Sequence, residues 1–177
     1  MKAKKILRDW VLPIGTAILL AFLINKFLFF QVSVPTKSMY PTIKPGDRIV
    51  VTRVYDKGKL KRGDIVVFYS DELKETLIKR LIGLPGDKIR VDNQRDVYIN
   101  EEKVDQPYVV FNGGIGGEFK VPEGKYFFMG DNRGDSLDSR YWNEHYITGD
   151  KIRGKARFIV FPFKRFGKFV YGEEALK

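Results

Sequence analysis

The chain has 177 residues, enough for one domain with a substantial core once a membrane segment is set aside. It contains no cysteine and one histidine, His145, which excludes thiolate nucleophiles, disulfides, cysteine-based zinc sites and multi-histidine metal sites. The formal net charge is +10, but residues 1–30 hold five basic residues against one Asp, a net of +4. The remainder has no basic helix, zinc-finger spacing or aromatic RNA-binding signature, so we expect no nucleic-acid partner. A polar domain held near anionic lipid explains the excess charge.

Residues 10–30 form the one long apolar run, in which only Asn25 and Lys26 are strongly polar. As a helix this run would span roughly 31 Å, which is one membrane crossing. Four basic residues precede it: Lys2, Lys4, Lys5 and Arg8. The positive-inside rule therefore places the amino terminus in the cytoplasm and everything after residue 30 outside. A cleavable signal peptide is the alternative. Signal peptides have a shorter apolar core than this run and end in a small-x-small cleavage site, which this run lacks, so the sequence favours an uncleaved anchor.

Residues 35–42, Pro-Thr-Lys-Ser-Met-Tyr-Pro-Thr, follow directly after the anchor. A proline on each side restricts the backbone and favours an extended, non-helical path, so the segment can hold the Ser38 hydroxyl rigidly. Since an extended residue advances at most about 3.5 Å, Ser38 would lie close to the outer membrane surface. An ordinary membrane-proximal linker is the alternative that this segment alone leaves open.

After Thr42 the sequence alternates between apolar and polar residues and is punctuated by tight-turn tripeptides such as Pro-Gly-Asp. Strands are predicted at 47–55, 63–69, 77–82, 88–91, 97–99, 126–129 and 157–161. No segment after residue 31 has a helical stripe. Many short strands at close spacing predict a mainly β domain of barrel or sandwich type, preceded by the one transmembrane helix.

Residues 92–125 are more polar and glycine-rich, with Asn-Gly-Gly-Ile-Gly-Gly at their centre, and are predicted to form a small β insertion or flap. A phosphate-binding loop is disfavoured because no Gly-Lys-Ser/Thr follows. The predicted organisation has four parts: a basic tip and anchor at 1–31, a main β core at 32–91 and 126–163, the insertion at 92–125 and a basic tail at 164–177.

Lys79 is a second candidate functional residue, within the apolar strand predicted at 77–82. Strand alternation puts Lys79 on one face and Arg80 on the other, and both faces carry apolar neighbours. At least one of these cations is therefore expected to be shielded from solvent. The alternative is that Lys79 extends its amine from the strand to solvent.

The third candidate is the loop at 130–140, Gly-Asp-Asn-Arg-Gly-Asp-Ser-Leu-Asp-Ser-Arg, directly after the strand predicted at 126–129. Eight of its eleven residues are polar or charged. A purely structural turn, held by Asp–Arg pairs, is the alternative to a functional role.

The three elements together resemble type I signal peptidase, the membrane-bound Ser-Lys endopeptidase that removes signal peptides from exported proteins. Residues 38–42 resemble its nucleophile box, 63–68 its core strand, 79–87 its lysine box and 130–140 its Gly-Asp-Asn-Arg box, all in family order behind an anchor. Two departures occur. The sequence after Arg140 differs from the family's usual Gly-Phe-Val-Pro continuation, and the short insertion resembles that of the compact, single-anchor Gram-positive members.

The resemblance implies that Ser38 is the nucleophile and Lys79 the general base, the serine-lysine variant of triad logic. It implies supporting roles for further residues: Thr36 as an oxyanion donor, Ser136 as the partner of the lysine amine, Asp138 and Arg140 as loop supports, and Val34, Pro35 and Ile78 as the lining of the substrate groove. It implies no metal and no cofactor. The implied partners are preproteins cleaved at small-x-small sites, the lipid bilayer and the nearby secretion machinery, with the catalytic domain on the extracytoplasmic side of the cell membrane.

Other serine enzymes do not fit the sequence. Position 41 is proline, so Ser38 does not begin a Ser-x-x-Lys motif, and no Gly-x-Ser-x-Gly surrounds Ser38 or Ser136. This excludes penicillin-binding enzymes and α/β-hydrolases. Self-cleaving repressor proteases share the chemistry but need a DNA-binding domain where this chain has an anchor. A non-catalytic, membrane-tethered β domain that binds export partners is the other alternative, and it predicts loss of the serine or the lysine.

Overall fold

The computed structural model describes residue 5 and residues 7–176, so Lys2, Lys4 and Lys177 of the predicted basic ends lie outside the described residues. A π-helical turn, Leu7–Val11, leads into the helix α1, Leu12–Phe27. The helical stretch is long and apolar enough to cross a membrane, and no residue of α1 is buried against the rest of the protein. This exposed apolar helix fits a single-pass membrane anchor.

The helix ends three residues before the predicted limit at residue 30. Phe29 and Phe30 instead belong to strand β1, Phe29–Ser33, and lie opposite Thr52 and Val51 of the next strand. Aromatic and β-branched residues suit a strand, and the ladder supplies their backbone with hydrogen-bond partners. The prediction of a helix through residue 30 was wrong because an apolar run has the same composition in a membrane helix and in a strand that follows it.

The rest of the chain is antiparallel β structure with short 3-10 turns. Ten strands follow β1: β2 Arg48–Arg53, β3 Ile65–Ser70, β4 Glu75–Gly83, β5 Lys88–Val91, β6 Val97–Ile99, β7 Glu102–Lys103, β8 Gly117–Lys120, β9 Lys125–Met129, β10 Ile147–Thr148 and β11 Ile152–Phe161. The 3-10 turns are Lys57–Lys59, Arg133–Asp135, Gly149–Lys151, Phe163–Arg165 and Gly172–Leu176. The predicted fold class, mainly β behind one amino-terminal helix, is confirmed.

The strands form two sheets. One has seven strands in the order β1-β2-β11-β3-β4-β9-β10, and the other has four in the order β7-β6-β5-β8. The four strands that the sequence pattern did not predict, β1, β7, β8 and β10, are the four edge strands of these sheets. An edge strand pairs on one side only and is often short, so it carries a weaker alternation of buried and exposed residues than a central strand.

The smaller sheet begins earlier in the chain than the predicted insertion. Strand β5, Lys88–Val91, pairs with β6 and β8, although the sequence assigned residues up to 91 to the core. The turn before it explains the difference: Gly86 has φ +86°, and the Asp87 carboxylate accepts hydrogen bonds from the Leu84 amide and the Asn100 side chain. This turn redirects the chain out of the larger sheet immediately after β4.

One core cluster lies beneath the segment that holds Ser38. Met39 and Ile43, on either side of the second proline of that segment, have no exposed surface and pack with Ile49, Val51 and other side chains of the seven-stranded sheet. Full burial of side chains of this size stabilises a fold by about 1.5–3 kcal/mol each. The turn around Ser38 is therefore fastened to the core by its own apolar residues.

Candidate active site

Ser38 lies in a turn just beyond β1 and is 8% exposed. Hydrogen bonds from the Tyr40 amide to the Lys37 carbonyl, 2.9 Å, and from the Ile43 amide to the Met39 carbonyl, 2.9 Å, close the turn. The Ser38 hydroxyl oxygen lies 3.4 Å from that of Thr36. The hydroxyl groups of Thr36 and Ser38 are therefore adjacent, on a turn whose backbone is held in place by packing against the core.

Lys79 lies on β4 and is only 3% exposed. Its amine donates a hydrogen bond of 3.2 Å to the Ser136 hydroxyl. Burial lowers the pKa of Lys79 from 10.5 to about 8, while the charges of Asp138 and Glu75 oppose the shift. At pH 7 a group with this pKa is neutral in about one molecule in eleven, compared with about four in ten thousand for an ordinary lysine.

At Gly130 the loop at 130–140 lies close to both the Ser38 backbone and the Ser136 side chain that bonds Lys79. A Cβ atom at this position would lie 2.4 Å from the Ser38 carbonyl oxygen and 2.3 Å from the Ser136 hydroxyl, so no other residue fits without movement of its neighbours. In the described part of the chain, no direct hydrogen bond joins Ser38 to Lys79. A base and its nucleophile often close to bonding distance only when substrate is bound.

Asp138 and Arg140 form a fully buried ion pair within the same loop, with 2.8 Å between the closest nitrogen and oxygen. The Asp138 carboxylate also accepts a hydrogen bond from the Gly130 amide at 3.0 Å. Arg140 donates to the carbonyls of Arg133 and of Gly113, which lies in the segment predicted as an insertion. The pair therefore fixes the start of the loop and ties it to the neighbouring segment.

A second buried ion pair, between Arg80 and Asp131, was not anticipated from the sequence. The two side chains form a bidentate pair at 2.7 and 2.6 Å, and Arg80 also donates to the Gly63 carbonyl at 2.7 Å. The Tyr108 ring stacks on the guanidinium group, with its centroid 3.8 Å from the central carbon. Lys79 and Arg80 are thus both buried, which confirms the expectation that at least one would be. The sequence signal was the alternation that puts Arg80 on the face opposite Lys79.

A groove runs beside Ser38 between two segments of extended chain. Its small cavity, about 90 Å³, is lined by Val34, Pro35, Thr36 and Ser38 from one segment and by residues 75–78, including Ile78, from β4. Among the described residues, β9 pairs with β4 only from Arg80 onward, which leaves the edge of β4 at 75–79 without a strand partner on this side. An extended peptide could add there as an extra strand.

His145 lies outside this arrangement. Its Nδ1 atom is 2.7 Å from the Ser139 carbonyl oxygen, and its ring packs edge-on against Phe119 of the smaller sheet. Within residue 5 and residues 7–176, no group of three or more His, Cys, Asp or Glu side chains is placed to hold a metal ion. The side-chain groups that the structure brings together at the site are the hydroxyls of Thr36, Ser38 and Ser136 and the buried amine of Lys79.

Comparison with known proteins gives a consistent result. The sequence profile of the family described as "Signal peptidase, peptidase S26" matches residues 7–161. Signal peptidase I of Bacillus licheniformis is 42% identical over 177 residues, which covers 93% of this chain and 94% of that protein. Signal peptidase IB of Staphylococcus aureus (strain MRSA252) is 35% identical over 194 residues, covering 98% of this chain and 99% of that protein.

Among solved structures, a crystal structure of a signal peptidase I from Enterococcus faecalis V583 is similar, with 31% sequence identity and a TM-score of 0.48. The match covers 55% of this chain and 96% of that chain.

Proposed function

The chain belongs to the signal peptidase family of serine peptidases, peptidase S26, and on that premise we propose that it removes signal peptides from exported preproteins at small-x-small sites by a serine-lysine mechanism. The observation that supports the mechanism best is the burial of Lys79, which lowers the pKa of its amine to about 8, in the same site as Ser38.

Acylation begins when neutral Lys79 accepts the proton of the Ser38 hydroxyl and the oxygen attacks the carbonyl carbon of the scissile bond. The tetrahedral intermediate collapses as the Lys79 ammonium gives its proton to the leaving amine of the mature protein. The signal peptide is then bound to Ser38 as an ester. The hydrogen bond between Lys79 and Ser136 supports this sequence because it orients the amine at each transfer.

The Ser38 amide and the Thr36 hydroxyl stabilise the negative charge that develops on the carbonyl oxygen by donating hydrogen bonds to it. Thr36 is suited to this role because its oxygen lies 3.4 Å from that of Ser38. The loss of one such donor typically costs about 3 kcal/mol in transition-state stabilisation. In the second half of the reaction, neutral Lys79 activates a water molecule that hydrolyses the ester and releases the signal peptide.

The substrate lies as an extended strand between residues 34–36 and β4. Val34 is almost fully buried and Ile78 is half-buried, and with Pro35 they line the small cavity next to Ser38. The apolar side chains that line this small cavity suit a short apolar side chain such as that of alanine. This supports the choice of small residues at positions −1 and −3 relative to the cleaved bond.

The proposed location is the cell membrane, with the amino terminus in the cytoplasm and the catalytic domain outside. The basic residues before α1 support this orientation through the positive-inside rule. The site follows β1, and β1 begins two residues after α1 ends, so Ser38 lies close to the membrane surface where a preprotein would emerge. The bilayer and nearby secretion machinery are the proposed surroundings.

Cleavage of a preprotein by the purified full-length chain in detergent tests the proposal. We expect cleavage after an Ala-x-Ala sequence, identified by amino-terminal sequencing of the mature product. Ser38→Ala and Lys79→Ala should each abolish it while circular dichroism and thermal unfolding show an intact fold. Ser70→Ala and Lys88→Ala, which alter a serine and a lysine that do not line the groove, serve as matched controls and should retain activity. Full activity of either Ser38→Ala or Lys79→Ala would refute the mechanism, and an inactive but folded wild type would favour the non-catalytic alternative.

A further inference from the structure

Asn132 makes two hydrogen bonds with the backbone at Ser38, one to the carbonyl that precedes Ser38 and one to the carbonyl of Ser38 itself. Its side-chain amide donates to the Lys37 carbonyl at 3.3 Å, and its backbone amide donates to the Ser38 carbonyl at 3.1 Å. The residue is 8% exposed. We infer that Asn132 is a positioning residue for the oxyanion hole, which it serves by fixing the orientation of the Lys37–Ser38 peptide group. This inference rests on the proposed function of Ser38.

The geometry of a peptide group gives the first step. The Lys37–Ser38 bond is not among the cis peptide bonds of the described chain, and in a trans peptide the C=O and N–H groups point in opposite directions. A donor that holds the Lys37 oxygen therefore also sets the direction of the Ser38 N–H. Asn132 holds this oxygen from the loop at 130–140, so the Ser38 N–H points away from that loop.

The Ser38 N–H is also available for substrate. Among the described residues it donates no hydrogen bond, whereas the neighbouring Tyr40 amide is bonded to Lys37. The Lys37 oxygen thus accepts two donors, one from its own turn and one from Asn132. A local turn fixes only the path of the chain, and the second donor removes the freedom of the peptide plane to rotate.

Asn132 is itself held on both sides. Asp131 precedes it and forms the buried ion pair with Arg80, and Arg133 follows it and donates to the Gly130 carbonyl at 3.0 Å. Arg80 is the neighbour of Lys79 on β4, and the loop that contains Asn132 also contains Ser136. The loop at 130–140 therefore holds both the Ser38 amide and the Lys79 amine in place, which keeps the relative positions of the proposed nucleophile and base constant.

Asn132→Asp tests the inference because it keeps the shape of the side chain and replaces the donor by an acceptor. We expect kcat for a signal-peptide substrate to fall about 10- to 100-fold, because a misdirected oxyanion donor loses most of its effect. KM should change by less than about threefold, since the lost interaction forms in the transition state. Asn112→Asp is the matched control, because Asn112 also donates its amide to a backbone carbonyl, that of Gln94, but in the insertion. Its kcat should equal that of wild type.

A second readout separates positioning from general loss of structure. Peptide ester substrates and their thionoester analogues differ in the atom that becomes the oxyanion, and sulfur is a poor hydrogen-bond acceptor. Wild type should cleave the oxygen ester faster, and Asn132→Asp and Asn132→Ala should narrow this preference, with rates expressed per folded molecule. An unchanged preference, or a kcat equal to that of wild type in both variants, would overturn the inference. Failure of wild type to cleave any substrate would instead overturn the proposed function.

Discussion

The Lys79 amine and the Ser136 hydroxyl are 3.2 Å apart, and both side chains are buried. This bond joins β4 to the loop at 130–140, whose first residue, Gly130, lies against the backbone of Ser38. Lys79 and Ser38, the proposed base and nucleophile, are therefore positioned by one loop, although the chain separates them by more than forty residues. Removing any contact of this loop should change catalysis more than it changes binding of the substrate.

Ser136→Ala should lower kcat/KM about 10- to 100-fold, because loss of a hydrogen bond to a charged or reacting group costs about 1.5–3 kcal/mol. The fold should remain intact, since alanine fills most of the same space. Steady-state kinetics on a signal-peptide substrate measures the effect. Ser70→Ala, which removes a buried hydroxyl that accepts from the Leu73 amide, is the control. Equal kcat/KM values for the two variants would contradict an orienting role for Ser136.

The pH dependence of cleavage should report the titration of Lys79. In the proposed mechanism the neutral amine is the active form, so kcat/KM should rise about tenfold per pH unit below the pKa and level off above it. The pKa lowered by burial to about 8 places the midpoint of this limb near pH 8. His145→Ala should leave the limb in place, since His145 contacts Ser139 and Phe119 and not the groove. A limb that disappears in His145→Ala would indicate a histidine mechanism instead.

Central elements of the fold could be predicted from the sequence, because β3 and β4 are apolar segments bounded by turn residues. The edge strands β1 and β10 could not, since each pairs with a single neighbour and buries few side chains. Ser38, Lys79 and Ser136 were predicted as site residues from their resemblance to family motifs, and that assignment stays a prediction. The contacts of Asn132 with Lys37 and of Arg80 with Asp131 could not be predicted, because they depend on how a loop folds back onto a distant turn.

Burial of Lys79 should make the protein less stable at neutral pH than it would be with an apolar residue there. A lysine pKa lowered in the folded state means that the unfolded chain binds more protons between pH 8 and 10.5, so stability should rise with pH across this window. Lys79→Met removes the cost of burying an ionisable amine and should raise the free energy of unfolding at pH 7 by about 1–3 kcal/mol. The gain should shrink toward pH 10.5. Thermal unfolding in detergent measures it, with the exposed Lys88→Met as control, and a gain independent of pH would contradict the explanation.

Gly130→Ala should abolish most activity. The added Cβ would lie 2.3 Å from the Ser136 hydroxyl and 2.4 Å from the Ser38 carbonyl oxygen, and one of these contacts is with backbone that cannot rotate away. A displacement of reacting groups by about 1 Å can lower the rate about 100-fold. Gly149→Ala is the control, because its Cβ would meet its nearest neighbours at 3.5–3.7 Å, an ordinary contact distance. Full activity of Gly130→Ala would mean that the loop can shift without effect on the site.

Asp131→Asn should destabilise the fold strongly, because it leaves the Arg80 guanidinium buried without its counter-charge. Removal of one partner of a buried ion pair typically costs about 3–5 kcal/mol. Both side chains here are at most 3% exposed, and their bond is bidentate. Asp71→Asn removes a carboxylate paired with Lys151 at the surface, where such pairs contribute about 0–1 kcal/mol. The melting temperatures of the two variants should therefore differ by several degrees. A difference near zero would show that water or a rearranged neighbour replaces the Asp131 carboxylate as the partner of Arg80. Because Asp131 precedes Asn132, we also expect Asp131→Asn to lower kcat in the fraction that remains folded.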